Sequence, residues 1–319
     1  MTITSERNYY IGIDLGGTFI KGGIVDDGGK IKVDGKVPTE CEKGAFIVAK
    51  KIAALTEDLL KKCKLTTDKI VGIGIGVPGL VDSDKGEVLY SENLKWVNFG
   101  VAEEIEKLTG LKVRIVNDAN AATLGEYKFG AGKGVDNFVM LTLGTGLGSG
   151  AILDGKLYTG NNNSGVEIGH MTVEYDGKLC KCGRRGCLET YCSATALIDC
   201  TKKAMLENPG SKIWNTCTLD DVTGKTAFDY YSLDETAKRV VDSYLALLSV
   251  GMINVSNIFK PQMIIIGGGL SEQGDTLTKP LQAAIDDFDF GGGQAPKPTI
   301  VVAKTGNHAG TLGAAALWM

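Results

Sequence analysis

Runs of apolar residues separated by polar turns predict an α/β segment in the N-terminal part of the chain. Three such runs, at 9–15, 19–25 and 31–37, are divided by turns rich in glycine and aspartate, which predicts antiparallel strands. Apolar residues at helical spacing then predict a helix over 45–63. The pattern continues with a strand at 70–77, a helix at 101–108, a strand at 113–116 and a helix at 119–129. Three strands followed by alternating helices and strands indicate one α/β lobe.

The same order begins again after residue 136. Strands are predicted at 137–144 and 147–153, followed by long helices near 189–207 and 235–257. The remaining elements are a strand at 263–266, a helix at 277–288, a strand at 299–302 and a helix at 309–318. The hairpin beginning at Asp14 also shares Leu, Gly, Gly and Ile at matching places with the hairpin beginning at Thr142. These similarities indicate an internal duplication, with two lobes that face each other across a cleft.

We expect a small N-terminal lobe over 1–118 and a large lobe over 119–307. The last helix, about 308–319, is expected to pack back on the small lobe. A length of 319 residues fits two domains, and 43% apolar with 23% charged residues is typical of globular proteins.

Charge and cysteine content narrow the class of protein. The net charge of −4 gives no excess of basic residues for nucleic acid or an anionic membrane. We find neither an apolar run long enough to span a membrane nor a signal peptide, because the polar residues 1–8 run directly into a strand. Eight cysteines in a chain with large cores do not indicate a disulfide scaffold. A cytoplasmic protein is therefore expected.

Glycine is unusually abundant, at 44 residues, about twice the ordinary share. Three glycine turns follow predicted strands, at 14–18, 143–148 and 267–269. Such turns let backbone N–H groups converge on phosphate oxygens. Any one of them could be an ordinary hairpin, but the three together favour a nucleotide site. The P-loop-like segment 150–156 has Leu157 where Ser or Thr is required, and 74–79 lacks the helix that a dinucleotide fingerprint needs.

Four residues with metal-ligand chemistry have a compact spacing: His170, Cys180, Cys182 and Cys187. One histidine nitrogen and three cysteine sulfurs form a set of four ligands that suits tetrahedral Zn²⁺. Because four protein ligands leave no open position, the zinc would be structural. Unpaired buried thiols are the alternative. Basic residues surround the loop, as in a nucleic-acid zinc knuckle, but the acidic net charge and the lack of interleaved aromatic residues disfavour that class.

Taken together, these motifs resemble the ROK family of bacterial sugar kinases. The resemblance rests on Asp14-x-Gly-x-Thr18, on the run 143–150, on Glu167-Ile-Gly-His170 and on the cysteine motif that ends at Glu189. It covers the chain from Tyr9 to the last predicted helix, and the likeness is greatest to the ATP-dependent glucokinases of Gram-positive bacteria. The resemblance implies an α/β, two-lobed, actin- or hexokinase-like (RNase H-like) ATPase fold with duplicated βββαβαβα lobes and a zinc-binding loop.

The resemblance also implies roles for particular residues. Asp118 would be the general base that accepts the proton of the attacking sugar hydroxyl. From the sequence alone, Asp118 could instead simply cap the following helix. The positions that would bind the sugar are Gly79, Asn93, Asn117, Asp118, Glu167, His170 and Glu189. His170 would serve twice, with one ring nitrogen on zinc and the other toward the sugar.

ATP would be bound by the glycine turns. The implied positions are Asp14, Gly16, Gly17, Thr18, Lys21, Thr145, Gly146, Gly268 and Gly269. Asp14 would orient Mg²⁺ through water, because Mg²⁺ keeps much of its hydration shell. Two positions depart from the family pattern: His308 stands where the family usually has Asp, and Val166 precedes Glu167 where a smaller residue is usual.

The expected function is phosphorylation of glucose at its 6-hydroxyl by ATP, in a homo-oligomer (dimer or tetramer) that binds neither nucleic acid nor membrane. A kinase for another hexose, such as N-acetylmannosamine, N-acetylglucosamine or fructose, is the alternative. A more remote one is a non-catalytic sugar-sensing regulator. The repressors of this family carry an N-terminal helix-turn-helix, whereas here the first strand begins near Tyr9.

Overall fold

The computed structural model of the protein describes residues 8–319, apart from the side chain of Asn162. The strands are β1 (Tyr9–Leu15), β2 (Phe19–Asp26), β3 (Ile31–Pro38), β4 (Ile70–Val77), β5 (Leu80–Asp82), β6 (Glu87–Ser91), β7 (Trp96–Phe99), β8 (Val113–Asn117), β9 (Phe138–Leu143), β10 (Leu147–Leu153), β11 (Lys156–Tyr158), β12 (Met263–Gly267) and β13 (Thr299–Val302). The α-helices are α1 (Ala45–Cys63), α2 (Val101–Thr109), α3 (Asp118–Phe129), α4 (Glu189–Cys192), α5 (Ala194–Glu207), α6 (Thr226–Asp229), α7 (Glu235–Phe259), α8 (Asp275–Phe288) and α9 (Ala309–Ala316).

Two five-stranded sheets have the same topology. The first has the order β3-β2-β1-β4-β8, and the second has the order β11-β10-β9-β12-β13. In each sheet a meander of three strands is followed by two further strands, which are reached through helices and lie parallel to the first strand of the meander. The repeated order is the duplicated βββαβαβα arrangement predicted from the sequence.

A small three-stranded sheet, β5-β6-β7, lies between β4 and α2 in the chain. Its strands are short, and its apolar side chains are divided between burial and exposure, with Val88 buried and Val97 exposed. The hydrophobic pattern did not predict this sheet. Gly79, at its start, has a φ of 111°, and a side chain there would collide with the carbonyl oxygen of Tyr90.

The predicted helix over 189–207 is wrong in one respect, because it is interrupted at Ser193. The backbone of Ser193 is extended, with φ −77° and ψ 163°, which ends α4. The Ser193 hydroxyl then accepts a hydrogen bond from the N–H of Ala196 and caps α5. Two helices of different direction therefore follow the cysteine motif.

The chain forms two compact units. The first contains residues up to Gly134, 150–166 and 304–319, and the second contains 135–149 and 167–303. The expected boundary after residue 118 falls between β8 and α3, whereas the first unit continues through α3. The reason is close packing of α3 against α9: a side chain at Gly313 would overlap the carbonyl oxygen of Ala121, and one at Gly125 would meet that of Ala309.

Each unit has its own apolar core. In the first, buried residues of β1, β2, β4 and β8 share one core with α1, whose Val48, Ile52, Leu55 and Leu59 are all buried, as their helical spacing predicted. In the second, β9 and β12 are buried along most of their length. By length and composition alone, α7 could cross a membrane, but Val241, Leu248 and Met252 of this helix are buried in the unit.

Candidate active site

The predicted polar residues of the first unit lie at the carboxyl ends of its parallel strands. In the strand register, Asp14 on β1 is opposite Gly76 on β4, and Val77 is opposite Asn117 on β8. Ligand sites of open α/β sheets commonly lie at this edge. The fold thus brings Asp14, Asn117 and the neighbouring Asp118 to the same edge, although they are far apart in sequence.

Asn117, not Asp118, is the N-cap of α3. The side-chain oxygen of Asn117 accepts hydrogen bonds from the N–H groups of Ala119 (2.9 Å) and Asn120 (3.2 Å). Its amide nitrogen donates to the carbonyl oxygen of Gly79 at 3.1 Å. Asp118 occupies the first helical position, and its carboxylate also accepts from the N–H of Ala119 at 2.9 Å. Asn117 therefore performs the capping expected of Asp118, whose carboxylate shares the N–H of Ala119 with it.

The glycine turn between β1 and β2 is held by hydrogen bonds from a residue outside it, Thr39. The N–H of Gly16 donates to the carbonyl of Phe19, and the buried hydroxyl of Thr39 donates to the carbonyl of Gly16 at 2.6 Å. A side chain on Gly17 would lie 3.4 Å from the carbonyl oxygen of Asn93. The turn and Asn93, predicted for phosphate and sugar respectively, are thus neighbours.

Thr39 was not predicted as a site residue. Its N–H donates to the carbonyl of Thr18 at 2.9 Å, so Thr39 holds the turn at two points. The only signal in the sequence is its place directly after β3, which is too common to be diagnostic. On the strands that this turn joins, the Lys21 ammonium lies 3.5 Å from the Asp14 carboxylate and is partly exposed.

In the second unit, two further predicted turns adjoin each other. Gly267 on β12 pairs with Thr142 on β9, which places the ends of these strands side by side. Gly268 has a φ of 80°, and a side chain there would lie 2.4 Å from the carbonyl oxygen of Leu143. Glycine is therefore required at 268 by both conformation and space. The positions predicted for the nucleotide in this unit, Thr145, Gly146, Gly268 and Gly269, belong to these adjoining turns.

The four predicted metal ligands come together in space. Their ligand atoms all lie within 4.8 Å of one another. The Sγ atoms of Cys182 and Cys187 are 3.6 Å apart, and Cys180 Sγ is 3.7 Å from Nδ1 of His170. A tetrahedron with zinc–sulfur bonds of about 2.3 Å has edges of about 3.8 Å, so the four atoms are spaced to fit Zn²⁺. Nδ1 is the nitrogen of His170 that faces the cysteines.

Backbone geometry explains how the cysteine motif closes around this cluster. The N–H of Cys180 donates to the carbonyl of Arg184, and the N–H of Gly183 donates to the carbonyl of Cys180. Gly183 and Gly186 have φ values of 87° and 76°, which favour glycine. A side chain at Gly186 would also overlap the carbonyl oxygen of Glu174. The two glycines of the motif are therefore needed for the turn.

The thiols of the cluster differ in acidity. Burial raises the pKa of Cys180 and raises that of Cys187 to about 12. A hydrogen bond from the backbone N–H of Arg184 lowers the pKa of Cys182. Because only thiolates ligate zinc, binding of the metal must release protons from the two buried thiols.

Glu167 and Glu189 lie beside the cluster. A 3-10 turn at Ile168–His170 follows Glu167, and the N–H of Ile168 donates to the hydroxyl of Ser149. Glu167 is exposed to solvent on one side, but the surrounding protein partly desolvates its carboxyl and so raises its pKa. The charge of His170 lowers this pKa, and the charge of Glu189 raises it further. One Glu189 carboxylate oxygen accepts from the N–H of Leu147 at 2.8 Å. Two carboxylates and an imidazole thus adjoin, as a polyhydroxylated ligand would require.

The fold and these residues define an actin- and hexokinase-like ATPase architecture. Its marks are two sheets of equal topology, a glycine turn in each first hairpin, and a carboxylate at the first turn of α3. The chain belongs to the ROK family, whose profile matches residues 10–319.

Relatives of known name agree with this assignment. A glucokinase of Streptomyces coelicolor is 37% identical over 314 residues, which cover 96% of both chains. A solved ROK family glucokinase of Streptomyces griseus, in complex with glucose and AMPPNP, has a TM-score of 0.85 and 33% identity, and the match covers 97% of this chain and 99% of that one. A xylose repressor of Caldicellulosiruptor bescii is 32% identical over 91% of this chain but only 73% of its own length.

Proposed function

We propose that the protein transfers the γ-phosphoryl group of ATP to the 6-hydroxyl of glucose, giving glucose 6-phosphate and ADP. The observation that carries this proposal is the setting of Asp118, whose carboxylate stands at the first helical position after Asn117 caps α3. A catalytic base must be held in place, and the N–H of Ala119 donates to this carboxylate at 2.9 Å. Similarity to named glucokinases supports glucose over other hexoses.

The chemistry follows from the phosphoryl transfer itself. As the O6–P bond forms and the bond from the γ-phosphorus to the ADP oxygen breaks, the sugar hydroxyl loses its proton to the carboxylate of Asp118. The backbone N–H groups of the turns at Gly16–Thr18 and Thr145–Gly146 would stabilise charge on the phosphates, with Lys21. Mg²⁺, held through water by Asp14, would supply further neutralisation.

Sugar binding would use Gly79, Asn93, Asn117, Glu167, His170 and Glu189. Because Nδ1 of His170 faces the cysteines, we assign Nε2 to the sugar. A metal on Nδ1 would fix the ring orientation and its tautomer. A zinc ion held by His170 and the three cysteines would therefore support the shape of this site, while the transfer itself would be carried by other residues.

The zinc assignment is tested with Cys182→Ala. Removal of one thiolate from a four-ligand site should reduce bound zinc from about one ion per chain to near zero. It should also raise the KM for glucose, since Glu189 lies two residues after Cys187. Metal analysis of the purified protein gives the first result and steady-state kinetics the second. Cys217→Ala, a free cysteine outside the cluster, is the matched control; equal zinc in both variants contradicts the assignment.

The substrate is tested by initial rates of ADP formation with Mg²⁺–ATP and one sugar at a time. The sugars are glucose, mannose, fructose, N-acetylglucosamine and N-acetylmannosamine. We expect glucose to exceed the others by at least about ten-fold in kcat/KM, a difference of roughly 1.4 kcal/mol. A leading N-acetylated sugar would change the substrate but keep the reaction. No turnover with any sugar would favour a sugar sensor, which the similarity to a xylose repressor makes the relevant alternative.

We also propose a cytoplasmic homo-oligomer, a dimer or tetramer, that binds neither nucleic acid nor membrane. All eight cysteines are free, which suits a reducing compartment. Size-exclusion chromatography with light scattering measures the oligomeric state directly.

A further inference from the structure

The turn between β9 and β10 is bound to the segment that follows the cysteine motif. The hydroxyl of Thr195 donates to the carbonyl of Thr145 at 2.8 Å, and the N–H of Ala194 donates to the carbonyl of Gly144 at 2.8 Å. On the other side of the turn, the N–H of Leu147 donates to the carboxylate of Glu189 at 2.8 Å. Three hydrogen bonds thus connect the segment 189–195 with the turn 144–147.

These contacts set the direction of the backbone N–H groups in the turn. A trans peptide is planar, and its C=O and N–H point in opposite directions. When Ala194 fixes the carbonyl of Gly144, it therefore also fixes the N–H of Thr145. In the same way, Thr195 fixes the N–H of Gly146 through the carbonyl of Thr145. The N–H groups predicted to meet phosphate are thus aimed by residues 194 and 195.

Glu189 closes the other end of the turn at short range. A side chain at Gly146 would lie 2.5 Å from a carboxylate oxygen of Glu189, so the turn and the carboxylate are in direct contact. Glu189 is itself anchored to the cysteine motif, because the hydroxyl of Thr190 donates to the carbonyl of Cys187 at 2.7 Å and the N–H of Leu188 donates to that of Met171. The metal cluster and the turn are therefore linked through a few bonds.

We propose that Thr195 and Glu189 are positioning residues for the nucleotide, and that Glu189 links sugar binding to nucleotide binding. The proposal rests on the proposed kinase function. A sugar hydroxyl bonded to Glu189 would share this carboxylate with the N–H of Leu147, so that each ligand affects the site of the other. Disorder in the cysteine motif would accordingly weaken the binding of ATP as well as the binding of the sugar.

Thr195 is tested by the dissociation constant of Mg²⁺–AMPPNP, measured by calorimetry without sugar. Thr195→Val removes the hydroxyl at constant shape and should weaken binding about ten-fold, the effect of one lost hydrogen bond. Thr195→Ser keeps the hydroxyl and should restore binding to near the wild-type value. Thr201→Val is the matched control, because it deletes a threonine hydroxyl on the same helix whose bond goes to Leu197. Its affinity should equal that of the wild type.

Glu189 is tested with a pair of variants. The side-chain oxygen of Gln can still accept from Leu147, so Glu189→Gln should bind AMPPNP almost normally while its KM for glucose rises. Glu189→Ala loses the acceptor and should weaken AMPPNP about ten-fold even without sugar. Zinc content and thermal unfolding of each variant show that the fold is intact.

The outcomes separate the two proposals. If the wild type binds AMPPNP and both Thr195→Val and Glu189→Ala bind it equally well, the positioning role is overturned while the kinase function stands. If the wild type binds AMPPNP neither alone nor with glucose present, the kinase function fails and the positioning role with it. A lack of turnover with glucose but normal AMPPNP binding leaves the affinity comparison valid.

Discussion

At the scale of single residues, the decisive arrangement is the pair Asn117 and Asp118. Both polar atoms of the Asn117 amide form hydrogen bonds: the oxygen caps α3, and the nitrogen donates to the carbonyl of Gly79. The sequence predicted Asn117 as a sugar ligand, which stays a prediction, whereas the structure shows its role as a helix cap. One carboxylate oxygen of Asp118 accepts from the N–H of Ala119, and the residue is partly accessible to solvent.

Replacement of Asp118 by Asn tests the base. The Asn side chain can still accept from the N–H of Ala119, so the start of α3 should be preserved. Turnover should fall by about 10²–10⁴-fold, the usual value of general base catalysis, with the dissociation constant for glucose nearly unchanged. Stopped or coupled assays give kcat, and calorimetry gives the affinity. Asp84→Asn, an exposed carboxylate elsewhere in the first unit, is the control; near-wild-type kcat in Asp118→Asn would remove the assignment.

Residue types at fixed spacing were sufficient to predict that the four candidate metal ligands come together, because cysteines this close in sequence are close in space. The bracing residues Thr39 and Thr195 could not be predicted in this way. Each acts through one hydroxyl bonded to a carbonyl from a distant part of the chain, and nothing in the local sequence distinguishes such a threonine from any other.

At the scale of elements, helix starts show how much capping adds to the hydrophobic pattern. The long helix α7 is capped by Asp234, a buried carboxylate that accepts from the N–H groups of Ala237 and Lys212 and from the hydroxyl of Ser211. Burial opposes its ionisation, but these hydrogen bonds outweigh burial and lower its pKa. The charge therefore stabilises the folded state.

Asp234→Ala should reduce the free energy of unfolding by about 2–3 kcal/mol at pH 7, since it removes a cap and leaves buried N–H groups unpaired. Asp234→Asn isolates the charge. A lowered pKa gives stability that is full above the ordinary value of 3.8 and is lost as the pH falls through the folded value below it. Urea unfolding at pH 7, 5 and 3 should show the wild type lose its advantage over Asp234→Asn only at the lowest pH. A constant difference across this range would contradict the pKa shift.

The exposed Asp275 of α8 provides the control for these variants. It forms an (i, i+4) ion pair with Lys279, and both side chains are more than three-quarters exposed. Asp275→Ala should change stability by less than about 0.5 kcal/mol.

Periodicity predicted most elements because long helices and buried strands repeat their apolar residues over many positions. It could not detect the break at Ser193, since apolar spacing continues on both sides and only the backbone torsion of one residue differs. It could not predict β5, β6 and β7 either, because strands of three to five residues with mixed burial carry too few alternations.

At the scale of the whole molecule, α9 completes the first unit. A side chain at Gly12 on β1 would overlap the carbonyl oxygen of Thr311, and one at Gly74 on β4 would overlap that of Ala314. Together with Gly313 against α3, these glycines let α9 lie directly on the sheet. The sequence predicted that this helix returns to the first lobe. The predicted boundary after residue 118 separates α3 from this contact, because a close approach of two distant segments has no signal in the local sequence.

Gly313→Ala tests the packing. The added methyl would lie 1.6 Å from the carbonyl oxygen of Ala121, so α9 or α3 must move. We expect a loss of about 1–3 kcal/mol in the free energy of unfolding, despite the better helix propensity of alanine. Gly210→Ala, where a side chain would meet open space, should be close to neutral. Chemical denaturation measures both, and equal stabilities would show that the contact is looser than described.

Buried Glu126 also fixes α9 on the first unit. Its carboxylate accepts from the N–H groups of Ala131, Lys304 and Thr305, and also bonds the Thr305 hydroxyl. One side chain thus joins the end of α3 to the segment that enters α9.

The discontinuous first unit has a consequence for biosynthesis. Its sheet is complete once residues 9–117 are made, but the helix that covers Gly12 and Gly74 is translated only after the whole of 135–303. At about 5–20 residues per second, this leaves the sheet face uncovered for roughly ten seconds or longer on the ribosome. The second unit is also incomplete during that interval, because its last strand, β13, is translated only a few residues before α9. The nascent first unit is then the stage at which chaperones would have most to protect.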